Sequence, residues 1–190
     1  MTETTPKTDE EIAKMVQEGN TDSFGVLVER YEDKLKRYGR AFMADEDDVK
    51  DVIQDVFIKT YTNIMSFDVK RRFSPWIYRI AHNEFVDKVR HKSKTESVPI
   101  MDFDVLFPHL VEGESAEGEM QRKELSDYLG KCLDELGTKY KEPLLLYYYE
   151  GMDYKEIADV LKVPVSTVGI RLKRGRDKLE KIANKSRLNL

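Results

Sequence analysis

Residues 153–179 constrain the fold more tightly than any other stretch of this chain. Asp153-Tyr154-Lys155-Glu156 has the form of a capping box, in which the Asp side chain accepts from the backbone at a helix start and the Glu reaches back to the cap N–H. Ile157, Ala158, Val160 and Leu161 supply an apolar face, and Lys162-Val163-Pro164 ends the helix as a turn. A second helix is predicted from Pro164 or Val165, with Val165, Val168, Leu172, Gly175 and Leu179 on one stripe. Helix, tight turn and a basic second helix make a helix-turn-helix.

The remaining sequence is read with the same helical period. A short helix fits Glu10 to Gly19, and a longer one follows the capping candidates Asn20 and Asp22, with Phe24, Leu27, Val28, Tyr31, Leu35 and Tyr38 on one face. Asp45 caps a third helix running to Ile64, acidic in its first turn, with Val49, Val52, Ile53, Val56, Phe57 and Ile64 inward. Ser74-Pro75 is predicted to start a fourth, Ser as cap and Pro at the first helical position, with Trp76, Ile77, Ile80, Ala81, Phe85 and Val89 carrying its apolar face. After residue 120, Leu125, Leu129 and Leu133 mark a further helix, and another spans about Lys139 to Tyr149 and stops at Gly151. The expected fold is all-α: a four-helix domain over 1–92, an acidic linker over 93–119 and a helix-turn-helix domain over 120–190.

Net charge is −4, an apparent obstacle to nucleic-acid binding, since phosphate contacts need Lys and Arg. The distribution says otherwise. From Lys70 to Lys94 eight basic residues stand against two acidic ones, and from Arg171 to Arg187 the ratio is the same, while Thr95 to Met120 holds seven acidic residues and no Lys or Arg. Two positive blocks separated by a negative one suggest two nucleic-acid contacts, although ordinary solvated helix faces would give the same charge count. The apolar residues of the linker (Ile100, Met101, Phe103, Leu106, Phe107 and Leu110) suggest that it docks on something.

In a helix-turn-helix the second helix enters the major groove, so the candidates for duplex contact are Ser166, Thr167, Ile170, Arg171, Lys173 and Arg174, the two arginines sharing a face. The other basic block differs in kind. Phe67 and Phe73 flank Lys70, Arg71 and Arg72, just before a helix with Arg79, His82 and Asn83 on its polar side. Positive charge with stacking rings suits unpaired bases, and the alternative is that both phenylalanines are buried at the domain edge. Catalysis finds no support: His82, His91 and His109 lack ligand spacing and there is no Gly-rich phosphate loop, so no metal or cofactor is expected. Cys132, the single cysteine, sits among leucines at helical spacing and is expected in a core. The acidic N-terminus has no signal-peptide pattern, so a cytoplasmic location is expected. A stand-alone dimeric regulator with a sensing domain, or a helical adaptor, are the competing functional classes. The first lacks a pocket signature; the second leaves the arginines without a role.

Six fragments in order resemble the extracytoplasmic-function sigma factors. FGVLVERY (24–31), VKDVIQDVF (49–57) and FSPWIYRIAHN (73–83) are similar to sigma region 2; LDEL (133–136), YYEGMDYKEIA (148–158) and TVGIRLKRGRDKL (167–179) are similar to region 4. The resemblance implies a promoter-directing, non-enzymatic subunit of RNA polymerase. It places Asp48, Asp51, Gln54 and Asp55 at the polymerase clamp helices, with the flap as a second polymerase contact. It implies that Phe67, Lys70, Arg71, Arg72, Phe73, Arg79 and Asn83 capture the melted minus-10 element, and that the helix-turn-helix reads the minus-35 duplex. An anti-sigma factor is common in such proteins. Ile170 and Gly175 depart from the Ser and Ala often found there, and Gly175 should cost up to about 1 kcal/mol of helix propensity.

Overall fold

A computed structural model describes residues 6–92 and 136–187, in two helical lobes with no strand among the described residues. The first lobe comprises α1 (Asp9–Gln17), α2 (Phe24–Gly39), α3 (Glu46–Asn63) and α4 (Phe73–Lys92), with single 3-10 turns at Thr21–Ser23 and Ile64–Ser66. The second comprises α5 (Thr138–Tyr148), α6 (Tyr154–Leu161) and α7 (Val165–Arg187). The predicted linker, the helix around Leu125–Leu133 and Cys132 lie outside the described residues.

Local chemistry explains the starts of these helices. Thr8 and Glu11 close a reciprocal capping box at α1, and the Asp45 carboxylate accepts from the N–H groups of Asp47 and Asp48 at α3, as its sequence suggests. The start of α4 differs from expectation. The helix begins at Phe73, ahead of the Ser74 expected to cap it, and the Phe73 N–H donates to Glu10 Oε1 of α1 at 2.8 Å. A carboxylate from another helix thus takes the role assigned to the local serine, which frees Ser74 and Pro75 to lie within the first turn.

Packing of the first lobe centres on aromatic rings. Tyr31 meets Phe73 edge-on at 5.4 Å, Tyr38 meets Tyr78 at 5.0 Å, and Phe42 stacks on Phe85 at 5.4 Å. Gly39 lets α2 approach this group closely: a Cβ there would stand 2.4 Å from Phe85 Cζ and 2.8 Å from Val49 Cγ1. The Tyr31 hydroxyl donates to Asp9 Oδ2 at 2.7 Å, while Arg30 pairs with the other oxygen, so α1 is tied to α2 through one carboxylate.

In the second lobe Leu136, Leu146, Met152, Ile157, Val160, Val168 and Leu172 form the interior. Gly175 is explained by α5. Its missing Cβ would lie 3.0 Å from Leu144 Cδ1 and 3.5 Å from the Tyr140 carbonyl oxygen, so the residue that weakens the helix also lets α7 and α5 touch. Val165, expected on the buried stripe, is exposed instead, while Val168 and Leu172 of the same stripe are buried. The lobes meet where α4 packs on α6, and their buried apolar residues join one cluster. No described helix is long and apolar enough to cross a membrane.

Candidate nucleic-acid interface

The helix-turn-helix forms as its sequence predicts, and the details explain its rigidity. Asp153 Oδ1 accepts from Lys155 and Glu156 N–H at 2.8 Å each, and Glu156 Oε2 accepts from the Asp153 N–H at 2.9 Å. Lys162 ends α6 in the left-handed region (φ 51°), which redirects the chain, and Val163 N–H closes the turn on the Ala158 carbonyl at 3.2 Å. The Thr167 and Val168 N–H groups then donate to the Pro164 carbonyl, opening α7. Glycine supplies the other reversal: Gly151 (φ 57°) separates α5 from α6.

With Val168 and Leu172 fully inward, the opposite side of α7 is solvent-facing. Ser166, Ile170, Lys173 and Arg174 are exposed, and Thr167 and Arg171 are half-buried. Arg171 Nε is shielded from solvent and has no hydrogen-bond partner among the described residues. Further along, Arg176 and Lys178 are exposed too, Arg176 donating to the Tyr148 hydroxyl at 3.3 Å and Lys178 standing 4.6 Å over the Tyr140 ring. The last helix therefore presents a positive, unobstructed surface of the kind that meets duplex DNA.

The second basic surface lies between the Ile64–Ser66 turn and the start of α4. Gln17 Nε2 pins this loop by donating to the carbonyls of Ile64 and Phe67 at 2.7 and 2.8 Å. Asp68 shapes the turn that follows, its carboxylate accepting from Lys70 N–H and its carbonyl from Arg71 N–H. As a result Lys70, Arg71, Arg72 and Arg79 all reach the surface.

The two phenylalanines require a correction. Phe73 is fully buried and Phe67 shows 5% of its surface, the rings meeting edge-on at 5.3 Å, so neither has a free face on which a base could stack. They are the scaffold of the site, because the apolar interior of the lobe reaches to the base of the loop. The ring left at the surface is Trp76, half-buried, 5.1 Å from Phe67 and 5.6 Å from Phe73. It borders a cavity of about 190 Å³, open to solvent, with Arg71, Arg72 and Arg79 on one side and Glu156 and Asp159 of the other lobe opposite. Sequence spacing gave Trp76 an apolar, inward role. Its place in the first turn of α4, beside the basic loop, was the available signal for a second one.

The polar side of α4 is also partly diverted. His82 Nδ1 lies 2.6 Å from Glu142 Oε1 of α5, and Asn83 Oδ1 accepts from Lys162 Nζ at 2.9 Å. Tyr38 donates to the same Glu142 oxygen. Burial, then the neighbouring Glu142 charge, pushes the Tyr38 phenol well above its usual pKa; burial, then Glu150, does the same to Tyr78.

A third surface runs along α3. Asp51, Gln54 and Asp55 are exposed on one face, whereas Asp48 is half-buried with an oxygen 3.9 Å from Lys88 Nζ. The same stripe continues through Ile58 (60% exposed), Tyr61 and Met65 (71%), large apolar residues that sequence reasoning missed. Their spacing of three and four from Asp55 and from each other was legible, and an acidic stripe running into exposed apolar side chains is the kind of surface that protein partners cover.

Known proteins resemble this chain over both lobes. Residues 27–95 match Sigma-70 region 2, and residues 126–179 match Sigma-70, region 4. The chain is 32% identical over 173 residues to the ECF RNA polymerase sigma factor SigW of Bacillus subtilis, covering 88% of this chain and 92% of that protein. It is 31% identical to the ECF RNA polymerase sigma-E factor of Haemophilus influenzae, covering 91% and 94% respectively. Among solved structures, CnrH in complex with the cytosolic domain of CnrY superposes with a TM-score of 0.66 at 29% identity, covering 94% of this chain and 99% of that one.

Proposed function

The chain belongs to the extracytoplasmic-function sigma factors of the sigma-70 family, and from that premise we propose which of its residues carry each step of promoter recognition. It is a transcription initiation factor rather than an enzyme, and it directs RNA polymerase core to promoters. In our reading residues 1–92 form the region 2 domain, 93–119 the linker and 120–190 the region 4 domain. The α3 stripe of Asp51, Gln54 and Asp55, extended by Ile58 and Met65, docks on the clamp helices of the polymerase, with Asp48 at its edge. The acidic linker occupies polymerase channels shaped for nucleic acid, and region 4 contacts the flap.

Promoter reading is divided between the lobes. Ser166, Thr167, Ile170, Arg171, Lys173 and Arg174 contact the minus-35 element as duplex, the arginines supplying guanine-edge or phosphate contacts. Lys70, Arg71, Arg72, Arg79 and Asn83 hold the melted minus-10 strand, with Trp76 as the stacking ring and Phe67 and Phe73 fixing the loop beneath it. Each site alone is modest; polymerase fixes their separation, so the second contact forms at high effective concentration. The observation that carries this reading is the presence of two separate positive surfaces, one on a groove-entering helix and one beside an accessible tryptophan. A protein partner of the anti-sigma class is part of the proposal, as is action in the cytoplasm, where polymerase works.

The test is co-purification of the full chain with core polymerase followed by run-off transcription on genomic fragments. Defined transcripts that require the protein are expected. Retention of palindromic duplex by the protein alone, with no transcript from any fragment, would instead identify a stand-alone dimeric regulator.

A further inference from the structure

Of the α7 residues assigned above to the minus-35 duplex, all carry a hydrogen-bond donor in the side chain except Ile170. Ile170 is 51% exposed and joins no part of the apolar interior of the lobe. Helical spacing sets it opposite the buried Val168 and Leu172, at the centre of the outward face. Ser166 and Arg174 lie one turn to either side of it and Lys173 borders them, all exposed. A β-branched side chain there gives up helix propensity relative to alanine and buries nothing in exchange within the fold.

Its neighbour Gly169 is equally unexplained by the fold. At Gly39 and Gly175 an added Cβ would press on another helix, but at Gly169 it would meet only the Tyr154 ring among the described residues, 3.6 Å from Cε2, which is ordinary contact. Packing within the lobe does not require glycine here, and glycine weakens the helix. What the bare backbone does supply is room beside Ile170 for a second molecule to come close.

The lack of any donor or acceptor on isoleucine narrows what that molecule can present. In the major groove N7, O6, O4 and the exocyclic amino groups all call for a donor or an acceptor, and the one group that calls for neither is the thymine C5 methyl. An isoleucine pressed on a polar base edge strips water from it and returns no hydrogen bond, which selects against that base. Pressed on a thymine methyl, it buries carbon on both sides. Arg174, one turn further along, is displaced by about 6 Å on the helix axis, less than two base steps of about 3.4 Å. The thymine therefore neighbours the base or phosphate that Arg174 grips.

We propose that Ile170 sets part of the promoter specificity by reading the methyl group of a thymine in the minus-35 element, at a face that Gly169 keeps open. This rests on the assignment of α7 to that duplex. Burial of one methyl carries about fourfold in affinity.

The experiment uses holoenzyme assembled from the full chain and core polymerase, on a promoter duplex obtained by run-off transcription, with each thymine of the upstream element replaced in turn by deoxyuridine. That replacement removes the methyl alone and keeps the pairing and O4. Competition binding is expected to show a loss of about fourfold at one thymine, or at two adjacent ones, and the loss is expected to vanish in Ile170→Ala holoenzyme. Exchanging the sensitive T·A pair for C·G should weaken binding by the parent, and 5-methylcytosine in that place should recover part of the loss. Ile170 is exposed and alanine is the better helix former, so the variant is expected to fold, which circular dichroism checks. Uniform affinity across all deoxyuridine duplexes would overturn the proposal, as would the same fourfold loss in Ile170→Ala. The double reversal Arg171→Glu with Arg174→Glu, measured on the same duplexes, separates this failure from that of the underlying assignment. If the reversals abolish upstream binding while no methyl matters, α7 reads the duplex without Ile170; if they change nothing, α7 does not read it at all. Should run-off yield no promoter, the assignment falls and this proposal with it.

Discussion

Replacing Gly39 with alanine sets two effects of opposite sign against each other. Gly39 ends α2 and has no positive φ, so helix propensity favours alanine by up to about 1 kcal/mol. Packing opposes it. The new Cβ would stand 2.4 and 2.7 Å from Phe85 Cζ and Cε1 and 2.8 Å from Val49 Cγ1. Phe85 is fully buried between Phe42, stacked at 5.4 Å, and Tyr38, edge-on at 5.9 Å, so the ring cannot rotate away without disturbing both. Overpacking of this kind costs about 1–3 kcal/mol, so after the propensity gain the net loss is about 0–2 kcal/mol. For a domain of this size the upper end lowers Tm by roughly 8–15 °C. Trp76 fluorescence follows the region 2 lobe selectively, since it is the only tryptophan, and urea midpoints at constant slope give the free energy. In a Phe85→Leu background the part of the cost due to the ring should disappear while the Val49 contact remains, an interaction energy of about 1 kcal/mol. A Gly39→Ala variant more stable than the parent would refute the packing argument, as would equal cost in both backgrounds.

Three further outcomes are expected. Arg174→Ala should weaken duplex minus-35 binding by about 1–3 kcal/mol and relax sequence preference if it grips a base, whereas Lys173→Ala should weaken all sequences alike and reduce the salt slope by about one; titrations at several salt concentrations separate the two. Asp55→Lys combined with Ile58→Glu should abolish retention on immobilised core polymerase without changing the far-ultraviolet circular dichroism. Raising the pH should destabilise the fold above about pH 10, because Tyr31, Tyr38, Tyr78 and Tyr149 are all held above the ordinary range of a tyrosine phenol, mainly by burial. A phenol whose folded pKa is raised contributes its full stability below the unfolded value and loses it as pH climbs toward the folded one. The loss is about 1.4 kcal/mol per pH unit for each of the buried phenols Tyr31, Tyr38 and Tyr78, and less for the half-exposed Tyr149, read as falling urea midpoints. Flat midpoints from pH 9 to 11 would contradict it.

How much of this was legible beforehand depended on the range of the interactions involved. The Asp153–Glu156 capping box, the Asp45 cap and the α7 stripe involve residues a few positions apart, and sequence spacing is enough to read them. Gly175 was legible as a cost, but its benefit lies in α5, more than thirty positions away, and only the packing of the two helices reveals it. Phe67 and Phe73 show the limit of composition: rings beside arginines suit either stacking or burial, and only the depth of the apolar interior decides. The polar side of α4 was correctly identified, yet a helix has more than two sides, and His82 and Asn83 face the other lobe. The Tyr38–Glu142 contact spans 104 positions, with no period or motif to announce it. The Ile58–Met65 continuation of the α3 face is readable from spacing alone, but helical spacing does not say whether an apolar residue lies in the core or at the surface, and only its acidic half suggests a partner.

Footprinting of the holoenzyme on a promoter obtained by run-off transcription is the most direct test of divided promoter reading. Permanganate-reactive thymines at the downstream element and protected duplex at the upstream one are expected together, with the charge reversals Arg171→Glu and Arg174→Glu erasing the upstream protection alone. Upstream protection that survives both reversals would show that α7 does not read the duplex, contradicting the two-surface account.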